Sequence, residues 1–317
     1  MGISTEAVTW GYRFFLGREP ESPAAVQAHL GARDELQLAK TLMRSPEFAA
    51  RRRQFGLEAV SDLKELAPLD IDSDATPDQL AACLEKIKTS WSHLGEVKPH
   101  FSVLTDEKFL PDNLAGAIEE FWASGRLEAE RIVRILERHG VSLSGKTCVE
   151  YGCGVGRVTT ALSRHFARLD AYDISAHHLA LARQRAHELG VGNVRFHECS
   201  VDPLADLERC DVFYSKLVFQ HNPPPVMAEL IRRALGALRP GGIAFFQIPT
   251  YISGYHFSLQ EWLGAERLPD IQMHCLPQQK VFALIAGLQC EPLEVREDDA
   301  TGNSGRMVSN SFVVRKT

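Results

Sequence analysis

Cys148-Val149-Glu150-Tyr151-Gly152-Cys153-Gly154-Val155-Gly156-Arg157 is the stretch that decides the fold. Apolar and β-favouring residues surround Glu150, and glycine then recurs at every second position. Arg157-Val158-Thr159-Thr160-Ala161-Leu162 continues with helix-compatible residues. The order predicts a buried strand, a tight glycine-rich turn and the start of a helix. Glycine permits positive φ and leaves no Cβ in the path of a ligand. A helix N-terminus offers free N–H groups to polar ligand atoms. The spacing is G-x-G-x-G behind an acidic residue, which differs from the G-x-G-x-x-G of dinucleotide enzymes.

From Val141 onward, short apolar runs alternate with helical patterns, the mark of a doubly wound, Rossmann-like α/β sheet. Strands are predicted at 147–151, 169–172, 194–197, 212–215 and 242–247, all parallel. Helices are predicted at 157–166, 176–189 and 224–238. A helix at 282–288 and an antiparallel closing pair of strands at 293–296 and 312–314 complete the sheet. Ligands of such sheets bind beyond the carboxyl ends of the strands. There Asp173 lies 21 residues after Gly152. Its carboxylate can accept hydrogen bonds from both hydroxyls of a ribose; it can also cap the following helix.

The glycine-rich turn resembles motif I of the class I S-adenosylmethionine (SAM) dependent methyltransferases. The resemblance extends, in order, to Asp173, to Cys210–Pro223 as motif IV, and to Leu238-Arg239-Pro240-Gly241-Gly242 entering the fifth strand. It implies SAM as cofactor. Glu150, Gly152, Cys153, Gly154 and Gly156 would hold its methionine moiety and ribose, and Asp173 with Ile174 the ribose. The family's acidic adenine partner is replaced here by Ser200, followed by Val201 and Asp202, a departure that leaves the adenine contact open. Ser215 and Leu217 would face the cofactor, with Leu217 to Phe219 lining the pocket floor. Gln220 and His221 would project toward the acceptor. With Tyr214 and His256 they form the candidate catalytic set. His221 is either a general base, its ordinary pKa being near 6.5, or a structural hydrogen-bonder at a loop start. An insertion at 250–276 holds Tyr251, Tyr255, His256, Trp262 and His274. These aromatics form either a substrate or cation–π wall or a small satellite core.

Composition bounds the alternatives. With 44% hydrophobic and 24% charged residues the chain reads as globular, and its 317 residues suffice for one large domain plus smaller ones. A formal charge of −6 argues against a dedicated nucleic-acid surface. No apolar run reaches the roughly 20 residues that span a bilayer, so no membrane partner is expected. Met1 to Glu6 lacks a signal-peptide core. Seven cysteines without a C-x-x-C pair point to reduced thiols and a cytoplasmic location. No metal is expected: His177 and His178 are adjacent, so on a helix they diverge by about 100°. No G-x-S-x-G elbow occurs.

Ahead of the sheet, residues 1–55 read as a small helical module. Ala7, Val8, Trp10, Phe14, Phe15 and Leu16 suit an amphipathic helix, broken at Gly17-Arg18-Glu19-Pro20. Helices follow near 23–30 and 34–43, and Ser45-Pro46 reads as N-cap and first helical position. Tyr12-Arg13-x-x-Leu16-Gly17-Arg18-Glu19-Pro20 with Ser45-Pro46-Glu47-Phe48 resembles a short bacterial helical module of unassigned function. That module is often attached to proteins of surface-glycan or secretion gene clusters. It implies a homodimer or protein partner, or glycan binding. Residues 56–75, acidic with Asp70, Asp72 and Asp74, read as a linker. Residues 76–140 read as a helical cap, with Thr76 capping a helix to about 90, then a helix pair at 113–123 and 127–139. Residues 141–317 form the SAM-binding domain.

The function these expectations define is methyl transfer from SAM to an O or N nucleophile of a small molecule, a sugar or biosynthetic intermediate. Two alternatives stay open: transfer or cyclisation of SAM's aminocarboxypropyl arm, and a non-catalytic SAM-binding adaptor.

Overall fold

The computed structural model describes residues 3–48, 51, 67–202, 207–302 and 306–317. Contacts divide the chain into two units, residues 1–65 with 302–306 and residues 66–301 with 307–317.

In the first unit, α1 (Thr5–Gly11) starts at Ser4, whose hydroxyl accepts the Ala7 N–H. It runs into a π-helical turn, Tyr12–Leu16, which Gly17 closes in the left-handed conformation. Next come α2 (Pro23–His29) and α3 (Glu35–Met43). Val8, Tyr12, Leu16, Leu38 and Leu42 pack as its core. As expected, Ser45 caps a helix start, accepting the Phe48 N–H at 3.0 Å. The two halves of the sequence signature meet there, because Arg18 pairs with both Glu21 and Glu47.

The second unit is built on β2 (Thr147–Tyr151), β3 (Arg168–Asp173), β4 (Val194–Glu198), β5 (Cys210–Ser215), β6 (Leu238–Ile252), β8 (Cys290–Asp298) and β9 (Met307–Lys316). They form one sheet in the order β4-β3-β2-β5-β6-β9-β8. The first five are parallel, and β9 pairs antiparallel with both β6 and β8. Chain order reverses at β2, so the crevice between the carboxyl ends of β2 and β5 is the switch point of the fold. The 239–242 turn is accommodated inside the long β6: Leu238 pairs with Cys210, but Ile243 already pairs with Val212.

Helices cover both faces. On one, α6 (Leu114–Arg138), α7 (Thr159–Leu162) and α8 (Ala176–Glu188) pack through Ile132, Leu136, Leu162 and Leu179 on Leu169 and Val212. On the other, α9 (Pro224–Ala237) and α11 (Gln278–Gly287) lie against Phe213, Phe246 and Phe312. The crossover from β4 to β5 carries no helix among its described residues. That layer is filled instead by α4 (Pro77–Val97), whose Leu80, Cys83, Leu84 and Ile87 join Tyr151, Tyr172, Cys199 and Phe213. Thr76 and Gln79 close its start as a reciprocal capping box.

Two expectations change in detail. The helix pair at 113–139 is the single α6. Gly125 does not break it; it lets α6 press on the turn after β2, where an added Cβ would come within 2.0 Å of the Arg157 carbonyl oxygen. Of the acidic stretch read as a linker, residues 56–66 lie outside the described residues. The remainder is packed: β1 (Asp70–Ile71) pairs in parallel with β7 (His256–Phe257). Asp72 accepts the Leu259 N–H at the start of α10 (Leu259–Gly264), and Asp74 pairs with Lys280. The first of these carboxylates, Asp70, sits 3.4 Å from His256.

All seven cysteines are buried and unpaired. Among the described residues no helix is long and apolar enough to cross a membrane.

Candidate active site at the glycine-rich turn

A cavity opens at the switch point. One wall is the strand-end wall: Glu150 to Gly154 at the end of β2, Asp173 and Ile174 at the end of β3, Cys199 after β4, and Lys216 to Val218 after β5. The other wall comes from much earlier in the chain. Leu84, Ile87 and Trp91 of α4 and Ser102 and Val103 of α5 (Pro99–Val103) close over the turn.

Backbone geometry shapes the first wall. Gly152 and Gly154 have φ of +80° and +54°. A Cβ on Gly152 would meet Val218 at 2.1 Å, and one on Gly154 would meet Val103 at 2.6 Å. Only glycine fits there without displacing the residues that border the cavity. Asp173 is fixed by the same turn: its Oδ2 accepts the Gly154 N–H at 2.8 Å and its Oδ1 the Ser175 N–H at 2.9 Å. Ser175, not Asp173, caps α8, so the aspartate is left to face the cavity. Glu150 is 3% exposed and its Oε2 has no hydrogen-bond partner. Burial, with a contribution from Asp173, pushes its pKa up to about 7, and Thr159 and Arg157 offset only part of that. A buried carboxylate oxygen with no partner costs stability, and here it borders a cavity. Arg157 also lines it; Nη1 donates to Ser124 at 3.0 Å while the buried Nε has no partner. Lys216 is held by Glu128 of α6 at 2.8 Å.

A directional hydrogen-bond chain supports the β5 end. Leu217, in the left-handed region at φ +63°, donates its N–H to the Gln247 side-chain oxygen at 3.0 Å. The Gln247 amide donates to Gln220 at 3.1 Å and to Ser309 at 2.7 Å. Gln220's amide nitrogen then faces His221 Nε2 at 3.2 Å, while His221 Nδ1 lies 2.8 Å from the Gln272 carbonyl oxygen. That chain fixes the tautomer with the proton on Nδ1. Burial pulls the His221 pKa down to about 4, so the ring is neutral at pH 7. It packs against the Trp91 ring, with centroids 5.2 Å apart.

The structure therefore gathers Glu150, Gly152, Cys153, Gly154, Asp173, Ile174, Tyr214, Leu217 and His221 around one cavity. The other expected residues lie elsewhere. Gly156 packs on Ala182 of α8. Ser215 donates to the Tyr151 carbonyl, tying β5 to β2. Ser200 is exposed and accepts the Asp202 N–H; neither it nor Val201 borders the cavity, and Cys199 stands there instead. Gln220 lies behind His221 as its support. His256 is a correction: its side chain is 58% exposed beside Asp70 in the β1–β7 pair, outside the cavity. Tyr214 is also corrected as an acid–base group. It is buried against Phe245, and burial raises its phenol pKa well above 10. Of the aromatics of 250–276, Trp262 is buried in the main core and Tyr255 packs against it, while Tyr251 donates to the Ala67 carbonyl. Tyr255 bonds His274, and Trp262 and His274 both bond the Gln272 side chain.

Sequence reading missed Leu84, Ile87, Ser102, Val103, Arg157, His178 and Lys216. Arg157 and Lys216 carry a signal, as each directly follows a strand-end motif. The cap residues carry none, since only tertiary packing brings them there.

This sheet order and glycine-rich turn fall in the part of the chain that resembles a methyltransferase domain. Residues 148–242 match the family model described as a methyltransferase domain. Among curated proteins the chain is similar to the ubiquinone biosynthesis O-methyltransferase of Sodalis glossinidius, 33% identical over 129 residues, covering 40% of this chain and 50% of that protein. The Serratia proteamaculans protein of the same name is 33% identical over 161 residues, covering 50% and 63%. The chain thus spans between half and under two thirds of these relatives' length. Among solved structures, magnesium protoporphyrin IX methyltransferase from Synechocystis PCC 6803 with bound SAM aligns at 14% identity. Its TM-score is 0.49, and the alignment covers 75% of this chain and 97% of that one.

Proposed function

We propose that this protein transfers a methyl group from SAM to an oxygen or nitrogen nucleophile of a small molecule. The observation that carries the reading is the partnerless, buried Glu150 carboxylate oxygen beside a turn whose two glycines leave no room for a Cβ. A cationic, amino-bearing cofactor meets that need: Glu150 would face its positive charge and Asp173 its ribose hydroxyls. Ile174, Leu217 and Val218 would pack on its apolar surface. When bound, SAM supplies an electrophilic methyl group on a sulfonium.

The chain's own residues then orient the acceptor and exclude water. The cavity is bordered by both the strand ends and the cap helices, so a cofactor on the strand-end side would leave the cap side to the acceptor. Trp91 and His221, in contact with each other, border the cavity on the acceptor side. His221, neutral and tied on both nitrogens, has no nitrogen free to strip a proton from an alcohol of high pKa and serves as part of the wall. The acceptor would then be a nucleophile already reactive near neutrality, such as an acidic phenolic hydroxyl or a neutral amine. The curated relatives named as O-methyltransferases favour oxygen. A biosynthetic intermediate carrying such a group meets that requirement better than a sugar, whose hydroxyls are alcohols of high pKa.

The helical unit at residues 3–48 would serve docking, to a second copy or another protein. Trp10 and Phe14 on it are 47% and 74% exposed.

The test is incubation with SAM and a panel of phenols, amines and sugars, reading S-adenosylhomocysteine and acceptor mass. Acceptor-dependent release, with the acceptor heavier by one methyl group, is expected. Release of methylthioadenosine in place of S-adenosylhomocysteine would move the aminocarboxypropyl reading to the front.

A further inference from the structure

Among the described residues only Leu217 and Gln289 hold a left-handed backbone without being glycine, and Leu217 borders the cavity. Its φ of +63° is unfavourable for a residue with a Cβ, so the surrounding structure must hold it. The holder is Gln247 on β6, which is 0% exposed. Its side-chain nitrogen donates to Gln220 Oε1 at 3.1 Å and to Ser309 Oγ at 2.7 Å. With both amide hydrogens committed, the oxygen is left to accept the Leu217 N–H at 3.0 Å. The residues on either side of Leu217 are clamped as well. Lys216 pairs with Glu128 at 2.8 Å, and the Val218 carbonyl accepts from Asn222 Nδ2 at 2.8 Å.

The Gln247 bond sets the direction of the adjoining carbonyl. The peptide between Lys216 and Leu217 is trans, so its C=O points opposite to its N–H. The N–H points toward β6, and β5 stands between β6 and β2 in the sheet. The Lys216 carbonyl is therefore aimed at the β2 side, into the crevice. The first three N–H groups of the turn that faces it are engaged elsewhere. Gly152 and Cys153 donate to the Tyr172 carbonyl at 2.8 and 2.9 Å, and Gly154 donates to Asp173. Glu150, whose Oε2 lacks a partner, stands opposite Tyr214, two residues before Lys216. The two strand ends thus present a carboxylate oxygen and a carbonyl oxygen to the same crevice.

We propose that Gln247 is a positioning residue: by holding Leu217 in the left-handed region it aims the Lys216 main-chain carbonyl into the cavity, as a hydrogen-bond acceptor for the cofactor's amino group. The inference rests on the SAM reading above. When the Gln247 bond is lost, Leu217 relaxes to negative φ, the peptide rotates and the carbonyl leaves the crevice. Gln247 touches no ligand itself; it acts through the main chain of the neighbouring strand.

The test titrates two probes calorimetrically into full-length protein: S-adenosylhomocysteine, and methylthioadenosine, which shares the adenosine but lacks the amino-acid arm. The readout is the ratio of their affinities. Gln247→Met keeps the side-chain length and removes the acceptor. It should lower the wild-type preference for S-adenosylhomocysteine by about tenfold, the loss expected for one hydrogen bond to a charged group. Leu217→Val, with Gln247 intact, puts a β-branched residue in the left-handed region and should lower the preference too. That variant keeps the inference testable should Gln247→Met fail to fold. Leu217→Gly removes more of the side chain yet favours the required φ, so the preference should stay within about twofold of wild type even as both affinities fall. Contacts of the Leu217 side chain alone would give the reverse order, glycine worse than valine, and would overturn the inference. So would a Gln247→Met variant that weakens both probes equally, or wild type that binds both alike. Wild-type protein that binds neither probe would overturn the cofactor reading itself, and this inference with it.

Discussion

The two walls of the cavity are built by opposite strategies. The strand-end wall uses residues that are neighbours in sequence: five running from the end of β2 into its turn, the last residue of β3, three residues after β5. Each is placed by a backbone conformation, and the sheet register does the rest. The cap wall uses apolar side chains of α4 and α5, separated by more than 40 residues from the turn they cover. Nothing local places them there. They arrive because the β4–β5 crossover has no described helix and α4 occupies that layer, tied down by Lys86, Lys88 and Ser102. In the proposed function the strand-end wall would meet the cofactor's charges, and the cap wall, lined by Leu84, Ile87, Trp91 and Val103, would select the acceptor.

The sharpest way to break this contrast is through charge. The Glu150 carboxyl shifts from an ordinary 4.5 up to about 7. Its folded-state pKa is raised, so its stabilising proton is fully held below about pH 4.5 and is lost as pH rises through about 7. Ligand-free wild type should therefore lose up to about 3 kcal/mol between pH 4.5 and 8. Glu150→Gln should flatten that slope, and saturating SAM should restore wild-type stability at pH 8. Denaturant melts across this range would read it, and identical profiles for wild type and variant would remove Glu150 from the cofactor's charge site.

Backbone shape comes next. Gly152→Ala puts a Cβ 2.1 Å from Val218 at φ +80°, which should cost about 2 kcal/mol of stability and abolish measurable S-adenosylhomocysteine binding by calorimetry. Retained binding would mean the turn does not hold the cofactor.

The smallest effect is expected on the cap. Lys86 donates to the carbonyls of Trp262, Leu263 and Ala265 at 3.2, 2.8 and 2.7 Å. Lys86→Met should lower stability by about 1–2 kcal/mol while S-adenosylhomocysteine affinity stays within about twofold. A large loss of affinity would show that the two walls are not separable in this way.

The same contrast explains what could be read from the chain alone. The β2 strand is legible to its end residues, because its apolar run and glycine spacing are local. So are Asp173, Leu217 and His221, each fixed by a strand terminus. Ser200 and Val201 were out of reach, since which residue after β4 turns inward depends on how the loop leaves the sheet. His256 looked catalytic because its loop is aromatic; its pairing with Asp70 is a contact between distant segments. Tyr214 sits at the right strand end, but periodicity does not report that burial disables its phenol. Ser102 and His178 were invisible for the same reason as the cap wall: one hydrogen bond between two helices leaves no pattern in either.

Calorimetric titration of S-adenosylhomocysteine into wild type and Asp173→Ala, with NAD as control ligand, tests the central claim most directly. Binding of the adenosyl compound by wild type, weakened by about a hundredfold or more in the variant, with no NAD binding by either, is the expected result. Well-folded wild type that takes up no S-adenosylhomocysteine, or binds it equally well without the Asp173 carboxylate, would contradict it.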